Sequence, residues 1–287
     1  MLSKRSKTDR AQSAALHSKM KSSSAHDEKQ KHALIMDIEG TISSIDFVKN
    51  VLFPYSMLHV QDFLKKFSVS DDEKCAELMK QLLHASDADA KTDPDRFIKP
   101  RMETMAHDIA LNCIEWVKQD KKLTCLKEIQ GKMWKEGYAT GAFRSELYED
   151  VFPALSLLKD TYDLYVYSSG SETAQKLFME YTQHGDLSYL ISGFFDTKIG
   201  SKTDKSSYEK ICSVIDKPPH KVIFITDSFL EATAARKAEI EAKLVIRPGN
   251  APLPPEAAEF EIIKSVWEIK PAQMSERHVF IDSDDSN

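Results

Sequence analysis

Four short apolar runs stand out along the chain, and polar or Gly-bearing residues follow each of them. The runs cover residues 33–36, 164–167, 222–226 and 244–246. Their length and their content of β-branched and aromatic residues are typical of buried strands. The segments that follow are 37–41, 168–170, 227–228 and 247–250. Each predicted strand therefore ends at a group of side chains or turns that could bind a ligand.

Helical periodicity follows three of the four runs. The residues that share a helical face are Ala174, Leu177, Phe178 and Tyr181 after the second run, and Leu230, Ala234, Ala235 and Ala238 after the third. Strands that alternate with helices predict an α/β fold, with a doubly wound, mainly parallel sheet covered by helices on both faces. Ligands of such sheets bind beyond the carboxyl ends of the strands, where the polar segments would lie.

The segment between the first and second strands breaks this alternation. Residues 48–150 are rich in helix formers and contain no convincing strand. Such a long helical insertion just after a strand end predicts a separate helical cap that closes over the site and excludes water. The alternative is a set of extra helices packed on the sheet without any mobile role. The catalytic core is then predicted at 33–47 and 151–275.

The two ends of the chain differ from its body in charge. Residues 1–32 carry eight Lys and Arg against three Asp and Glu, a local charge of +5. Because the net charge of the whole chain is -6, the remaining residues carry about -11. We expect a disordered N-terminal tail, with a transit peptide as the alternative, and an acidic tail at 276–287.

Composition also restricts the class of protein. An acidic body argues against nucleic-acid binding, which needs basic surface, and no apolar stretch reaches the ~20 residues that span a bilayer. No secretory signal is apparent. The four cysteines, none of them in a Cys-x-x-Cys pair, are Cys75, Cys113, Cys125 and Cys212. We therefore expect reduced, mostly buried thiols in a cytoplasmic protein and no zinc site, and a nuclear location stays open.

The most informative chemistry follows the first strand. Asp37 and Glu39 are one residue apart, so in an extended chain both carboxylates can face the same small volume. Their mutual repulsion favours a hard cation with oxygen ligands. One carboxylate could then act as a nucleophile and the other as an acid or base. The plain alternative is a strand that ends in a polar turn.

The other strand ends offer complementary groups. Ser168 and Ser169 precede a predicted helix and could bind an anion there, although an ordinary capping turn has the same pattern. Lys202 lies in a loop and gains significance only if other groups require a cation beside a phosphoryl group. Asp227, at the tip of the third strand, could complete a magnesium site.

The order of these motifs resembles that of the haloacid dehalogenase-like phosphatase superfamily, over residues 33 to about 270. A Glu at position 39, where that superfamily usually has Asp, points to one branch. Further stretches are similar to the enolase-phosphatase E1 family of methionine salvage: Phe53-Pro54-Tyr55, Gln130-Gly131-Lys132-Met133-Trp134, the segment 167–171, the segment 195–202 and the segment 245–250.

The resemblance implies a reaction and a set of roles. Members of the family enolise 2,3-diketo-5-methylthiopentyl-1-phosphate and then remove its phosphate, with one Mg²⁺ per chain and as monomers. By resemblance, Asp37, Glu39 and Asp227 would hold the metal, Ser168, Ser169 and Lys202 would contact the substrate, and Asp37 would carry the phosphoryl group. Either Glu39 or Lys202 could move the proton in the enolisation.

Two alternative functions stay open at this point. The first is a related phosphatase for another small phosphorylated metabolite, and the second is a non-catalytic binding protein of the same fold. Arg247 could line the site, although a loop Arg is usually solvated or ion-paired. Trp134 and Tyr138 could form an apolar wall for the methylthio group, although aromatic residues on a helix are more often core.

Overall fold

The computed structural model describes residues 31–272. Within this range, six parallel strands form one sheet in the order β3-β2-β1-β4-β5-β6. The strands are β1 (His32–Met36), β2 (Tyr162–Tyr167), β3 (Ile191–Phe195), β4 (Val222–Thr226), β5 (Glu241–Val245) and β6 (Glu261–Ile263). The predicted α/β class with a parallel sheet is confirmed. The predicted acidic tail and almost all of the predicted N-terminal tail lie outside the described residues.

The four predicted strands are present, with shifted ends. β5 ends at Val245, so the predicted Ile246 lies outside it and is 41% exposed. The sequence reading missed β3 and β6. β3 carries Ser192 and Gly193, which are poor strand formers, and β6 is only three residues long. Both lie at the edges of the sheet, where strands are less buried and their sequences therefore show a weaker apolar pattern.

Helices fill the connections between the strands. They are α1 (Ile45–Phe47), α2 (Phe53–Ser68), α3 (Glu73–Thr92), α4 (Met105–Lys118), α5 (Thr124–Thr140), α6 (Val151–Leu158), α7 (Glu172–Glu180), α8 (Lys205–Val214) and α9 (Phe229–Lys237), with a π-helical segment at Val48–Leu52. Residues 48–150 contain helices and no named strand. We call this segment the helical insert.

One residue of the predicted helical faces is placed wrongly. Leu230 was expected on the buried face of α9 but is 63% exposed, whereas Ala232, Ala234 and Ala235 are buried. Leu230 precedes Ala232 by two positions, which is about 200° around a helix of 3.6 residues per turn. It therefore lies nearly opposite the fully buried Ala232.

The side chains of β1 alternate between the two faces of the sheet. Leu34 and Met36 belong to the apolar cluster on one face, and Ala33 and Ile35 to the cluster on the other. All four are fully buried because β2 and β4 flank β1. The chain leaves β1 towards β2 and β3 and later returns to its other side at β4. The carboxyl ends of β1 and β4 thus form the switch point where ligands bind in such sheets.

The helical insert has an apolar cluster of its own, formed by α2 to α5 and the connection between α3 and α4. Its buried members are Val60, Leu64, Leu78, Met79, Leu82, Phe97, Ile109, Ala110, Cys113, Trp116, Cys125, Leu126, Ile129 and Met133. The four cysteines of the chain are buried free thiols, as predicted. None of the helices between residues 31 and 272 combines the length and the apolar character needed to cross a bilayer.

Candidate active site at the carboxyl edge of the sheet

The pairing of β1 with β4 places the first carboxylate, that of Asp37. Met36 lies opposite Ile225 in the parallel register, and the Asp37 N–H donates to the Ile225 carbonyl over 3.0 Å. Asp37 is only 5% exposed. Its Oδ1 accepts a hydrogen bond of 2.8 Å from the Ile38 N–H, which fixes the carboxylate at the strand end.

A tight turn after β1 brings Asp227 against the same segment. Gly40 has φ of +73°, and a Cβ at this position would lie 2.4 Å from Asp227 Oδ2. Only glycine fits both the left-handed backbone and this close approach. Asn250 Nδ2 donates to the Gly40 carbonyl over 2.9 Å and supports the turn from the other side.

The loop that carries Lys202 is held by α8. Ser207 Oγ donates to the Ser201 carbonyl, and Tyr208 Oη donates to the Lys202 carbonyl, both over 2.7 Å. Gly200 permits this packing, because a Cβ there would lie 2.1 Å from Ser207 Oγ. The loop backbone is thereby fixed, and the long side chain of Lys202 reaches inward to the end of β1.

Lys202 joins two carboxylates in the site. Its Nζ lies 2.6 Å from Asp37 Oδ1 and 2.7 Å from Glu231 Oε2, and the side chain is 9% exposed. Burial alone would lower the pKa of the Lys202 ammonium, but the charges of Asp37 and Glu231 raise it above its ordinary value. Lys202 is therefore a fixed cation beside Asp37.

Glu231 is the main residue of this site that the predicted set lacks. It lies in the first turn of α9, four residues after Asp227, and Thr226 Oγ1 donates to its Oε2 over 2.9 Å. The signal was present in the sequence, since a carboxylate in the first turn of the helix after β4 stays near the strand end. Its contact with Lys202 depends on a loop that is distant in sequence.

The carboxylates of the site outnumber its one buried cation. Burial raises the pKa of Asp227 to about 6, with the negative charge of Asp37 as the second cause. Burial and then the charge of Asp37 also raise the pKa values of Glu39 and Glu231, and Lys202 opposes both shifts. Additional positive charge at this edge of the sheet would relieve this repulsion.

The donors at this edge fit a hard divalent cation in their chemistry. Asp37 and Asp227 supply carboxylate oxygens from adjacent strand ends, and the buried Asn250 Oδ1, which lies with Asp227 against the Gly40 turn, has no hydrogen-bond partner. Magnesium is usually bound by one or two carboxylates together with water and phosphate oxygens. Across residues 31–272, however, no three His, Cys, Asp or Glu side chains are arranged as ligands of one ion. The ligand set Asp37, Glu39 and Asp227 stays a prediction.

The second strand end forms part of a cavity wall. Ser168 is buried and Ser169 exposed, just before α7, whose N-cap is Ser171. Gln175 Nε2 donates to the carbonyls of Gly170 and of Phe195 at the end of β3, both over 2.8 Å. This amide holds the serine loop against the neighbouring strand.

The cavity lies between this loop and the helical insert and has a volume of about 460 Å³. Glu39, Ser168 and Ser169 line it from the core, and Trp134 and Tyr138 line it from α5. Asp37, Lys202 and Asp227 cluster at the strand ends and are not among its lining residues. The predicted site residues thus form two adjacent groups, which Glu39 connects along the segment 37–39.

Arg247 is a structural residue rather than a lining one. Its Nη1 and Nη2 donate to Asp150 over 2.8 and 2.9 Å, and its Nε donates to the Thr41 carbonyl over 3.0 Å. Burial alone would raise the pKa of Asp150, but hydrogen bonds from Arg247, Val266 N–H and Ser265 hold it below its ordinary value. The pair fastens the start of α6 to the turn after β1.

Comparisons with known proteins agree with this architecture. A family model of haloacid dehalogenase-like hydrolases matches residues 31–239. Enolase-phosphatase E1 of Caenorhabditis elegans is 41% identical over 244 residues, which cover 84% of this chain and 97% of the relative. Enolase-phosphatase E1 of Aquifex aeolicus is 38% identical over 240 residues, which cover 83% and 98%.

A solved structure extends the likeness to the three-dimensional fold. The UTR4 protein of Saccharomyces cerevisiae is 28% identical and superimposes with a TM-score of 0.65, covering 84% of this chain and all of the yeast chain. The Caenorhabditis elegans and Aquifex aeolicus relatives match the chain over nearly their whole length. The chain therefore belongs to the enolase-phosphatase E1 family of haloacid dehalogenase-like hydrolases.

Proposed function

We propose that this protein is the enolase-phosphatase that converts 2,3-diketo-5-methylthiopentyl-1-phosphate to the acireductone 1,2-dihydroxy-3-keto-5-methylthiopentene and phosphate, in the salvage of methionine. The observation that carries the proposal is the buried Lys202 at 2.6 Å from Asp37, at the switch point of the sheet and beside a cavity of about 460 Å³. The enolase-phosphatases among the relatives support the same reaction.

Asp37 is the nucleophile of the phosphatase step. Its carboxylate ends a fully buried strand, so the attacking oxygen is fixed before substrate arrives. Attack on phosphorus gives an aspartyl-phosphate and releases the organic product as the leaving group. Lys202 is held next to the attacking oxygen and neutralises charge on the phosphoryl group as it transfers.

One Mg²⁺ per chain completes the site in this proposal. When bound, it would neutralise phosphoryl charge and polarise the substrate carbonyl. Asp37, Glu39 and Asp227 are the proposed ligands. The raised pKa of Asp227 and the close packing of its carboxylate against the Gly40 turn support the presence of a cation there.

Glu39 rather than Lys202 is assigned the proton transfer of the enolisation. Glu39 lines the cavity that would hold the carbon chain. Lys202 is not among the residues that line this cavity, and its ammonium is fixed between two carboxylates at 2.6 and 2.7 Å. An ammonium that is stabilised in this way is a poor base. The additional methylene of Glu, compared with Asp, lets the carboxylate reach into the cavity.

The helical insert serves as a cap in this proposal. Its helix α5 supplies Trp134 and Tyr138 to the cavity, and an apolar wall suits the methylthio end of the substrate. A monomer with both regions on one chain needs no partner protein. The proposal places it in the cytoplasm.

The test follows two products from one reaction mixture. The purified protein is given the diketo phosphate with Mg²⁺, and the ultraviolet absorbance of the enol is recorded together with inorganic phosphate. We expect both signals, with Glu39→Gln losing the enolisation first and Asp37→Asn retaining enolisation but losing phosphate release. A Glu39→Gln protein that performs both steps at the parental rate would contradict the role of Glu39.

A panel of sugar phosphates and nucleotides separates this activity from that of a related phosphatase. Faster turnover of another phosphomonoester than of the diketo phosphate would reject the proposed substrate. The absence of phosphate release from every compound would reject the enzymatic function.

A further inference from the structure

One face of α5 runs along the cavity and changes from polar to apolar. Lys127, Gln130, Trp134 and Tyr138 all line the cavity. Their spacing of three, four and four residues puts them on one side of a helix. The N-terminal half of this face is polar and the C-terminal half aromatic, so a ligand that lies along it would place its polar part near Lys127.

Lys127 connects the helical insert to the catalytic core at this polar end. Its Nζ donates to the Ser169 carbonyl over 3.0 Å. Ser169 belongs to the loop after β2 that lines the same cavity. This hydrogen bond uses one of the three donors of an ammonium group and holds the group at the junction of the two regions.

Lys127 differs from the neighbouring lysines because its ammonium has no acidic partner among the described residues. Of the other lysines that line the cavity, Lys118 pairs with Glu115, Lys121 with Asp89 and Lys122 with Asp120. Within the part of the chain that the structure describes, no carboxylate lies within ion-pair distance of Lys127. Lys49 likewise has none there, but it makes no hydrogen bond to the core loop.

We propose that Lys127 is a substrate-binding residue of the insert, whose ammonium donates to the carbonyl oxygens of the dicarbonyl group of the substrate. This inference rests on the proposed function. In the enolisation, a base takes the proton from carbon, the C–H electron pair becomes a carbon–carbon double bond, and the carbonyl electron pair moves to oxygen. Lys127 stabilises the negative charge that develops on that oxygen.

The position of Lys127 on the helix is consistent with the order of groups along the substrate. Trp134 lies seven residues further, about 10 Å along the helix axis at 1.5 Å per residue. The dicarbonyl group lies next to the phosphate, and the methylthio group is at the far end of the chain. An ammonium beside the serine loop and an indole about two turns further along the helix match this order.

The test compares three variants of the full chain in the presence of Mg²⁺. Lys127→Met removes the ammonium and keeps most of the apolar stem, and Lys127→Arg restores a cation. Lys135→Met is the matched control, because Lys135 is on the same helix but is exposed and outside the cavity lining. The readouts are kcat/KM for enolisation of the diketo phosphate and the inhibition constant of inorganic phosphate, which has no carbonyl carbon.

We expect Lys127→Met to lower kcat/KM for enolisation about 100-fold, which is typical of a lost donor to a developing oxyanion. Lys127→Arg should recover part of this loss, Lys135→Met should match the parent, and the inhibition constant of phosphate should be the same in all four proteins. Thermal melting checks that each variant is folded.

Two results would overturn the inference. In one, Lys127→Met enolises at the parental rate. In the other, it weakens phosphate inhibition as strongly as it slows enolisation, which would assign Lys127 to support of the serine loop alone. A parent that does not convert the diketo phosphate would reject the proposed function itself, and the inference with it.

Discussion

The helical insert buries most of its apolar side chains in a cluster separate from those of the α/β core, although Leu52 and Leu147 pack with the core. The two regions contribute different groups to the site. The core supplies charge at fixed positions: Asp37, Lys202 and Glu231 are connected by contacts of 2.6 and 2.7 Å. The insert supplies wall area and, through Lys127, one contact to the core loop. Charged groups at fixed distances are thus built on strand ends, whereas the helices supply much of the cavity wall, to which we assign recognition of the rest of the proposed substrate.

This division has a physical reason. A parallel sheet fixes the carboxyl ends of its strands relative to each other through the hydrogen bonds of its neighbours. Helices that pack through apolar side chains need only side chains of suitable shape and volume at their interface, and many different sequences meet this requirement. Substitutions in the two regions should therefore differ in kind as well as in size.

The largest effect is expected from Asp37→Asn in the core. The amide has nearly the same size but is a poor nucleophile, so phosphate release should fall by about 10⁴-fold, which is typical of the loss of a nucleophile. Single-turnover measurement of inorganic phosphate checks this. The thermal unfolding of the insert should be unchanged, and phosphate release near the parental rate would show that another group attacks phosphorus.

Asp150→Asn should cause the next largest effect, on stability. It leaves the buried Arg247 without its carboxylate partner, so the free energy of unfolding should fall by about 3 to 5 kcal/mol at pH 7. The measurement is denaturant unfolding of both proteins between pH 7 and pH 3.

The pH dependence of this difference has a defined sign. The pKa of Asp150 is lowered in the folded protein, so its contribution is present above the ordinary pKa of Asp and is lost as the pH falls through the lowered value. The gap between parent and variant should therefore narrow in acid. A gap that is constant or widens would contradict the ion pair as the cause.

Leu82→Ala tests whether the insert is a separate unit. Leu82 is fully buried in the insert cluster, and its truncation should cost about 2 to 5 kcal/mol. Hydrogen exchange should increase in α2 to α5 and stay unchanged in β1 and β4. The matched core variant is Ile225→Ala in β4, at a site that is equally buried. Equal loss of protection in both regions from Leu82→Ala would show that core and insert unfold together.

The smallest effect is expected from Glu136→Gln. Lys66 and Glu136 form an exposed ion pair of 3.1 Å between α2 and α5. Water and salt screen such pairs, so the free energy of unfolding should change by less than about 1 kcal/mol. Denaturant unfolding at low and high salt measures it. A larger, salt-dependent loss would indicate that surface charge helps to hold the insert together.

The class of fold and most of the charged and hydroxyl groups at the strand ends could be predicted from the amino-acid pattern alone. The length and continuity of their apolar runs identified the two central strands, because β1 and β4 are buried on both faces of the sheet and are therefore apolar throughout. Asp37, Glu39, Ser168, Ser169, Lys202 and Asp227 were all found at strand ends or in the loops that follow. Resemblance to a family then connected them to a reaction.

The contacts between these groups, in contrast, became visible only in the folded protein. Lys202 reaches Asp37 across 165 positions because Gly200 lets its loop pack against Ser207, and such an approach leaves no periodic signal in the sequence. The spacing of apolar residues along the chain shows which side chains of one helix or strand are buried. A contact between distant segments depends instead on how the whole sheet is assembled. The partnership of Glu231 with Lys202 and the contact of Lys127 with Ser169 are of this second kind.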